Sequence, residues 1–187
     1  MVYFVAYGLY MDPNTTAKAI GGSAGIGNQA VTVIGFQRHF GALPLQGDLR
    51  PGIKPPPEKK NETICTLTPS PGCPFNGVIY RLGGEEFELL ITRQASIGFS
   101  PIEIPQGHIL SFPQNEPISL EEKALAFAGS PENCLSYLQI DGGYIDSVLN
   151  IANRFGKTFF QTFIETTFLP DRKETLKQRY GGLVQDG

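Results

Sequence analysis

Val2-Tyr3-Phe4-Val5-Ala6-Tyr7-Gly8-Leu9-Tyr10 lies at the start of a chain of 187 residues, and its reading decides the fold. The β-branched and aromatic side chains from Val2 to Tyr7 predict a buried strand. Gly8 predicts a sharp turn that a larger side chain would resist. Asp12 is placed to cap the following helix, and Pro13 suits its first position. A strand, a glycine turn and a helix start together form a place where backbone N–H groups can point at an anion. The plainer reading is an ordinary strand-to-helix connection, and the choice between them depends on residues further along.

Composition narrows the function classes. The length suits one domain, residues 1–187, with a substantial core. With 15 Lys+Arg against 18 Asp+Glu, the formal charge of -3 leaves no basic footprint for nucleic acid and no polybasic membrane patch. A small-molecule partner is therefore expected. No apolar run reaches the length of a membrane span, and Met1-Val2-Tyr3 lacks the charged start of a signal peptide, so the expected location is cytoplasmic. Cys65, Cys73 and Cys134 are odd in number and include no close pair, which argues against a disulfide framework and a zinc site. His39 and His108 are too few to complete one, so no metal site is expected.

Asp12 to Ile20 reads as a short helix ended by Gly21-Gly22. The run Gly21-Gly22-Ser23-Ala24-Gly25-Ile26-Gly27 fits the glycine loop of short-chain dehydrogenases letter for letter, but its context is wrong. A dinucleotide loop follows a strand and starts a helix; here the glycines follow a helix, and the β-branched strand Ala30 to Ile34 comes after them. Val31 to Phe36 leads as a strand to Arg38-His39-Phe40-Gly41. Of the 15 prolines, 8 then lie between Pro44 and Pro74, which predicts a proline-stiffened insertion at about 44–74. Glu62 to Thr68 and Phe75 to Leu82 read as two strands joined by a turn at Pro69-Ser70-Pro71-Gly72.

Gly83-Gly84 starts a helix whose apolar residues, Phe87, Leu90 and Ile91, share one stripe. Gln94 continues that stripe, while Arg93 and Glu86 lie off it and are expected to face water. A polar side chain directed inward must find partners or cost about 1–3 kcal/mol. Gln94 is therefore either satisfied by nearby backbone or part of a site. Pro101 to Pro105, Gly107 to Phe112 and Lys123 to Phe127 read as short strands of a small barrel or curled sheet. A helix carrying Tyr144, Val148, Ile151, Ala152 and Phe155 on one face ends at Gly156. Phe159, Phe160, Phe163 and Ile164 form a second apolar stripe, read as core. Asp171 to Arg179 reads as a surface helix or tail.

Three of these pieces, in order, resemble the gamma-glutamyl cyclotransferase-like family. Tyr3-Phe4-Val5-Ala6-Tyr7-Gly8 is similar to its opening strand and Tyr-Gly-Ser-Asn turn. Phe75-Asn76-Gly77-Val78-Ile79-Tyr80-Arg81-Leu82 with Leu90-Ile91-Thr92-Arg93-Gln94-Ala95 is similar to its Gly-Val-Leu-Tyr strand and the helix bearing Arg-Glu. Tyr144 to Gly156 resembles its C-terminal Tyr-Leu…Gly-Ala-Arg helix. The resemblance implies an α+β fold, a small mixed β-barrel with flanking helices and a pocket at its mouth. It also implies cleavage of a gamma-glutamyl amide to 5-oxoproline and a free amine or amino acid, with no cofactor. Carried over to this chain, Tyr7, Gly8, Leu9, Tyr10 and Tyr144 become substrate-binding positions, and Gln94 takes the catalytic position.

Two departures bear on activity. The Ser-Asn of the family turn is Leu9-Tyr10, which removes two small polar side chains but keeps the backbone donors. The catalytic Glu is Gln94, close in shape but unable to transfer protons as a carboxylate does, a difference typically worth about 10²–10⁴-fold. Three readings follow: an introduced substitution that holds substrate uncleaved, a natural binding protein or subunit that reuses the pocket, or replacement of the lost group by Glu85, Glu86 or Glu88. None of these three glutamates shares the inward stripe at Gln94.

Overall fold

The computed structural model describes residues 1–22, 28–42, 62–134, 139–140 and 142–180. Its elements are β1 (Val2–Ala6), α1 (Pro13–Ile20), β2 (Gln29–Ala42), β3 (Glu62–Leu82), α2 (Gly84–Ser96), β4 (Phe99–Ile104), β5 (Ile109–Ser111), β6 (Ala124–Gly129), β7 (Gln139–Ile140), α3 (Gly142–Arg154), α4 (Lys157–Thr166), β8 (Thr167–Phe168) and α5 (Leu176–Tyr180). The strands form one mixed sheet in the order β4-β6-β1-β3-β2-β5, with β7 on β3 and β8 on β2. Curled into a half-barrel and flanked by helices, it is the expected α+β architecture.

β1 sits inside this sheet, antiparallel to β3 and parallel to β6. Phe4, Val5 and Ala6 are all buried although successive side chains point to opposite faces, so both faces are covered and the strand reads as a continuous apolar run. On one side Phe4 meets Phe127 at 5.7 Å, and Phe127 stacks on Phe87 of α2 at 5.6 Å. β3 approaches β1 closely at Gly77, where an added Cβ would lie 2.6 Å from the Ala6 carbonyl oxygen. Any side chain there would push the two strands apart.

β2 and β3 run further than the sequence suggests. β2 continues through Arg38-His39-Phe40-Gly41 to Ala42, and β3 is one long strand from Glu62 to Leu82. Pro69-Ser70-Pro71-Gly72 is therefore not a chain reversal. Pairing with β2 steps from Pro69↔Phe36 to Pro74↔Ile34, so the residues between bulge outward and the strand resumes on the same partner. The turn chemistry is expressed as this excursion. Of the residues expected to form the proline-rich insertion, Glu62 to Pro74 belong to β3, while 43–61 lie outside the described residues, as do 23–27 of the glycine run.

α1 begins as expected, with the Asp12 carboxylate accepting from the Thr15 N–H at 2.9 Å and from its hydroxyl at 2.8 Å. Strand β2 follows the glycines after α1, the reverse of the order a dinucleotide loop requires. α3 buries Val148, Ile151 and Ala152 of its predicted stripe and adds Ile145, α4 buries Phe159, Phe163 and Ile164, and Tyr144, Phe155 and Phe160 are only partly buried. The tail is less external than expected, because Leu176 of α5 is fully buried.

The middle of β2 carries two buried polar side chains. Arg38 has no exposed surface and donates to Thr167 Oγ1 (2.7 Å), Asn76 Oδ1 (3.0 Å), the Phe163 carbonyl (3.1 Å), Thr166 Oγ1 (3.2 Å) and the Asn76 carbonyl. Its guanidinium lies 3.8 Å from the Phe163 ring centroid. Burial pulls its pKa to about 9, still well above neutrality. His39, equally buried, shares a 2.8 Å hydrogen bond between Nε2 and Thr68 Oγ1.

Burial is the main cause that lowers the His39 pKa from 6.5 to about 4, with the Arg172 charge adding to it. The unfolded chain therefore takes up this proton first as pH falls. The stabilisation linked to neutral His39 is complete above about pH 6.5 and is lost progressively down to about pH 4, amounting to about 3 kcal/mol. Urea unfolding at pH 7.5, 6 and 5 is expected to show a falling midpoint, with a smaller fall in His39→Gln. Equal pH dependence in the two proteins would contradict the assignment.

Candidate functional site

The turn after β1 is fixed by its carbonyls. Leu9–Met11 form a single 3-10 turn, in which the Gly8 carbonyl accepts from Met11 N–H at 3.0 Å and that of Leu9 from Asp12 N–H at 3.1 Å. The Tyr10 carbonyl takes the Thr16 hydroxyl at 2.7 Å, and the Met11 carbonyl takes the Tyr80 hydroxyl at 2.7 Å. With every carbonyl from Gly8 to Met11 engaged, the path of the turn is set. The first N–H of such a turn has no intrahelical acceptor, and at Leu9 that group belongs to a residue lining a cavity.

That cavity has a volume of about 180 Å³ and is mostly apolar, its walls including Phe4, Ile64, Ile97, Phe99 and Phe127. The volume is below the roughly 300–1,000 Å³ of sites that enclose drug-sized ligands. It suits an amino-acid-sized group, with the remainder of a larger ligand at the mouth. Tyr7, Gly8, Leu9, Tyr10, Gln94 and Tyr144 all line it, so the six positions singled out in the sequence come from the segment that follows β1, from α2 and from α3 to one place.

Their chemical states differ. Gln94 is buried at 6 % exposure, on the stripe with Phe87 and Leu90, and its Nε2 donates to the Tyr10 hydroxyl at 3.0 Å. The Tyr7 hydroxyl donates to the Phe127 carbonyl, and its ring meets Phe75 edge-on. This tyrosine braces β1 against β6 as well as lining the site. The Tyr144 hydroxyl accepts from the Cys65 N–H at 3.4 Å, and its ring stands edge-on to Phe40 at 6.0 Å. Burial raises the pKa of both Tyr7 and Tyr144 above the ordinary phenol value. It also pushes the Cys65 thiol up to about 12, so Cys65 is a neutral wall and not a thiolate nucleophile.

Gly8 is needed for a reason the sequence does not show. An added Cβ would lie 2.9 Å from the Tyr144 hydroxyl oxygen. The absence of a side chain lets α3 bring Tyr144 against the turn.

Among the described residues, the lining contains no carboxylate. Glu85 and Glu88 are exposed. Glu86, expected in water, is half-buried and accepts from the Gly83 N–H at 2.6 Å, capping α2. None of the three stands in the cavity beside Gln94. Thr15, whose hydroxyl is committed to Asp12, and Cys65 also line the cavity. They are residues that sequence reasoning missed, because only the approach of the first half of β3, paired with β2 at Phe40↔Cys65, and the seating of α1 bring them there. No group of His, Cys, Asp and Glu suited to a metal ion occurs among the described residues, and no helix among them is long and apolar enough to cross a membrane.

No protein-family model matches the sequence, and no curated protein is significantly similar to it. Solved structures do match. A gamma-glutamyl cyclotransferase aligns over 100% of this chain and 99% of its own, with a TM-score of 0.61 at 14% identity. An uncharacterised protein from Homo sapiens aligns over 98% of both chains, with a TM-score of 0.60 at 14% identity. YkqA from Bacillus subtilis aligns over 86% of this chain and 51% of its own, with a TM-score of 0.55 at 15% identity. At these identities the likeness is one of fold, and it spans the whole chain: this protein has the gamma-glutamyl cyclotransferase-like fold.

Proposed function

We propose that the cavity beside the Gly8 turn is a gamma-glutamyl cyclotransferase-type site that takes up the glutamyl end of a gamma-glutamyl amide in the cytoplasm. The observation that carries this reading is the convergence of Gln94 and Tyr144 on one cavity against the Gly8 to Tyr10 turn. In the reaction the α-amine of the substrate attacks its γ-carbonyl carbon and the C–N bond to the leaving amine breaks. A proton passes from the attacking nitrogen to the departing one, giving 5-oxoproline and a free amine. Holding the two ends of one molecule in attack geometry is the larger part of such catalysis, and the Leu9 N–H and the Tyr144 hydroxyl are suited to that task.

The proton relay is the weak part of this site. Gln94 is not a carboxylate, and the phenols of Tyr7 and Tyr144 and the thiol of Cys65 are held neutral by burial. The chain as written therefore binds its ligand and turns it over slowly at best. A second reading, a binding protein that keeps the pocket without the reaction, is favoured by the 3.0 Å Gln94–Tyr10 bond, which gives the amide a settled partner.

Gln94→Glu separates the two. For a site built for the reaction, the restored carboxylate is expected to raise 5-oxoproline release from a gamma-glutamyl amide by at least about a hundredfold. Equal, negligible rates for both forms across a panel of gamma-glutamyl compounds would favour the binding protein.

The turn is tested on the Gln94 form, where turnover does not intrude. Gly8→Val places a branched side chain against the Tyr144 hydroxyl and is expected to abolish binding of a gamma-glutamyl compound, measured by calorimetry on protein shown to be folded. Leu9→Ala keeps the backbone donor and is expected to change affinity only modestly. Full affinity in folded Gly8→Val would place the ligand elsewhere.

A further inference from the structure

We infer that Tyr10 is a positioning residue for position 94: it holds the Gln94 carboxamide so that the oxygen is left to accept from a donor group of the ligand, such as a primary amine or ammonium. This rests on the cyclotransferase-type reading for the identity of the ligand, but not for the role of Tyr10. A carboxamide has one donor end and one acceptor end. The 3.0 Å bond from Nε2 to the Tyr10 hydroxyl commits the donor end and turns Oε1 the other way, within a cavity that both residues line. Tyr10 itself is anchored. Its carbonyl accepts from Thr16, and its ring stands edge-on to Phe4 at 6.1 Å and 73°.

The same phenol acts differently on a carboxylate. With a glutamate side chain at position 94, the Tyr10 O–H becomes the donor, and a hydrogen bond to the charged form lowers the pKa of the acid. Tyr10 thus favours binding through an amide and weakens a base at the same position. The other titratable groups facing the cavity are Tyr7, Cys65 and Tyr144. The charged residues of the elements packed around it, Asp12 and Lys18 by α1, Arg38 on β2, Glu85, Glu86, Glu88 and Arg93 on α2, Glu103 on β4 and Asp146 and Arg154 on α3, do not line it, although the charge of Arg38 acts on Tyr7, Cys65 and Tyr144 from behind its wall. Tyr10 is therefore the group whose removal changes the titration of an acid at position 94 most directly.

The test compares Gln94→Glu with the double variant Gln94→Glu/Tyr10→Phe by carboxyl carbon NMR across pH, which needs neither substrate nor turnover. Phenylalanine keeps the ring against Phe4, and thermal melts check that both proteins fold. Loss of the hydroxyl is expected to raise the pKa of the carboxyl introduced at position 94 by about one unit, and superimposable titration curves would overturn the inference. On the unmodified chain, which requires no variant to fold, the Gln94 side-chain amide protons are expected to exchange with solvent more slowly than those of an exposed glutamine. Exchange as fast as in an exposed glutamine would equally overturn it. For the ligand end, a gamma-glutamyl amide is compared with its α-N-acetyl derivative, which lacks the ammonium. Tyr10→Phe is expected to reduce the preference for the free amine about fivefold, and an unaltered preference would remove the acceptor assignment. A shifted titration of the introduced carboxyl with no binding of any gamma-glutamyl compound would sink the proposed function and leave the role of Tyr10 standing.

Discussion

A charged guanidinium with no exposed surface, Arg38, is the constraint on which much of this structure depends. Removing such a charge from water is tolerable only when its donors are satisfied nearby. Among the described residues, its hydrogen-bond partners are all neutral oxygens: Asn76 on β3, Phe163 and Thr166 on α4, and Thr167 on β8. The Phe163 ring adds a cation–π contact. Asn76 then uses its amide to donate to the Phe159 carbonyl at 2.8 Å. One strand, β2, is thus tied through a single side chain to the next strand and to the helix across it. Phe40, two residues on and on the same face, meets the ring of Tyr144, so the strand that carries the buried charge also helps seat the cavity wall.

Local chemistry makes some elements legible in the sequence and leaves others hidden. β1 can be read because burial on both faces leaves an unbroken apolar run. The start of α1 is visible in Asp12-Pro13, and the inward phase of Gln94 in a three-residue stripe. Arg38 and His39 read only as polar residues at the end of a strand. Their partners, Asn76, Thr68, Phe163, Thr166 and Thr167, are distant in sequence and reach them only through pairing and helix docking. Pro69-Ser70-Pro71-Gly72 shows the opposite failure. Its turn chemistry is real, but whether a turn reverses a chain or bulges from it depends on which strand receives the next residues, and that register is non-local.

Gly8 and Gly77 illustrate how a correct identification can rest on the wrong cause. Both stand out in the sequence as parts of motifs, and Gly8 as a turn residue. In the structure each needs glycine for what lies opposite. The Ala6 carbonyl stands over Gly77, and the Tyr144 hydroxyl stands over Gly8. Within one segment, a glycine that serves a turn and a glycine that serves a close neighbour look the same. Cys65 and Thr15 are invisible as lining residues for the same reason.

The two departures from the family pattern, Leu9-Tyr10 in the turn and Gln94 on α2, look independent in the sequence but meet in the cavity. A small polar residue in place of Tyr10 could not place its polar atom where the phenol oxygen stands, and a carboxylate in place of Gln94 could not donate to that oxygen. Each replacement fits the other. Under the proposed reading, the polar end of the site presents a fixed acceptor in place of a proton-exchanging acid, among walls whose phenols and thiol are kept neutral by burial. Neutral groups in an apolar cavity gain little from general electrostatic attraction and depend on hydrogen-bond polarity to discriminate. On the proposed reading, selectivity therefore turns on the direction of one amide, which is set by Tyr10, the residue standing where the resembled turn has a small polar side chain.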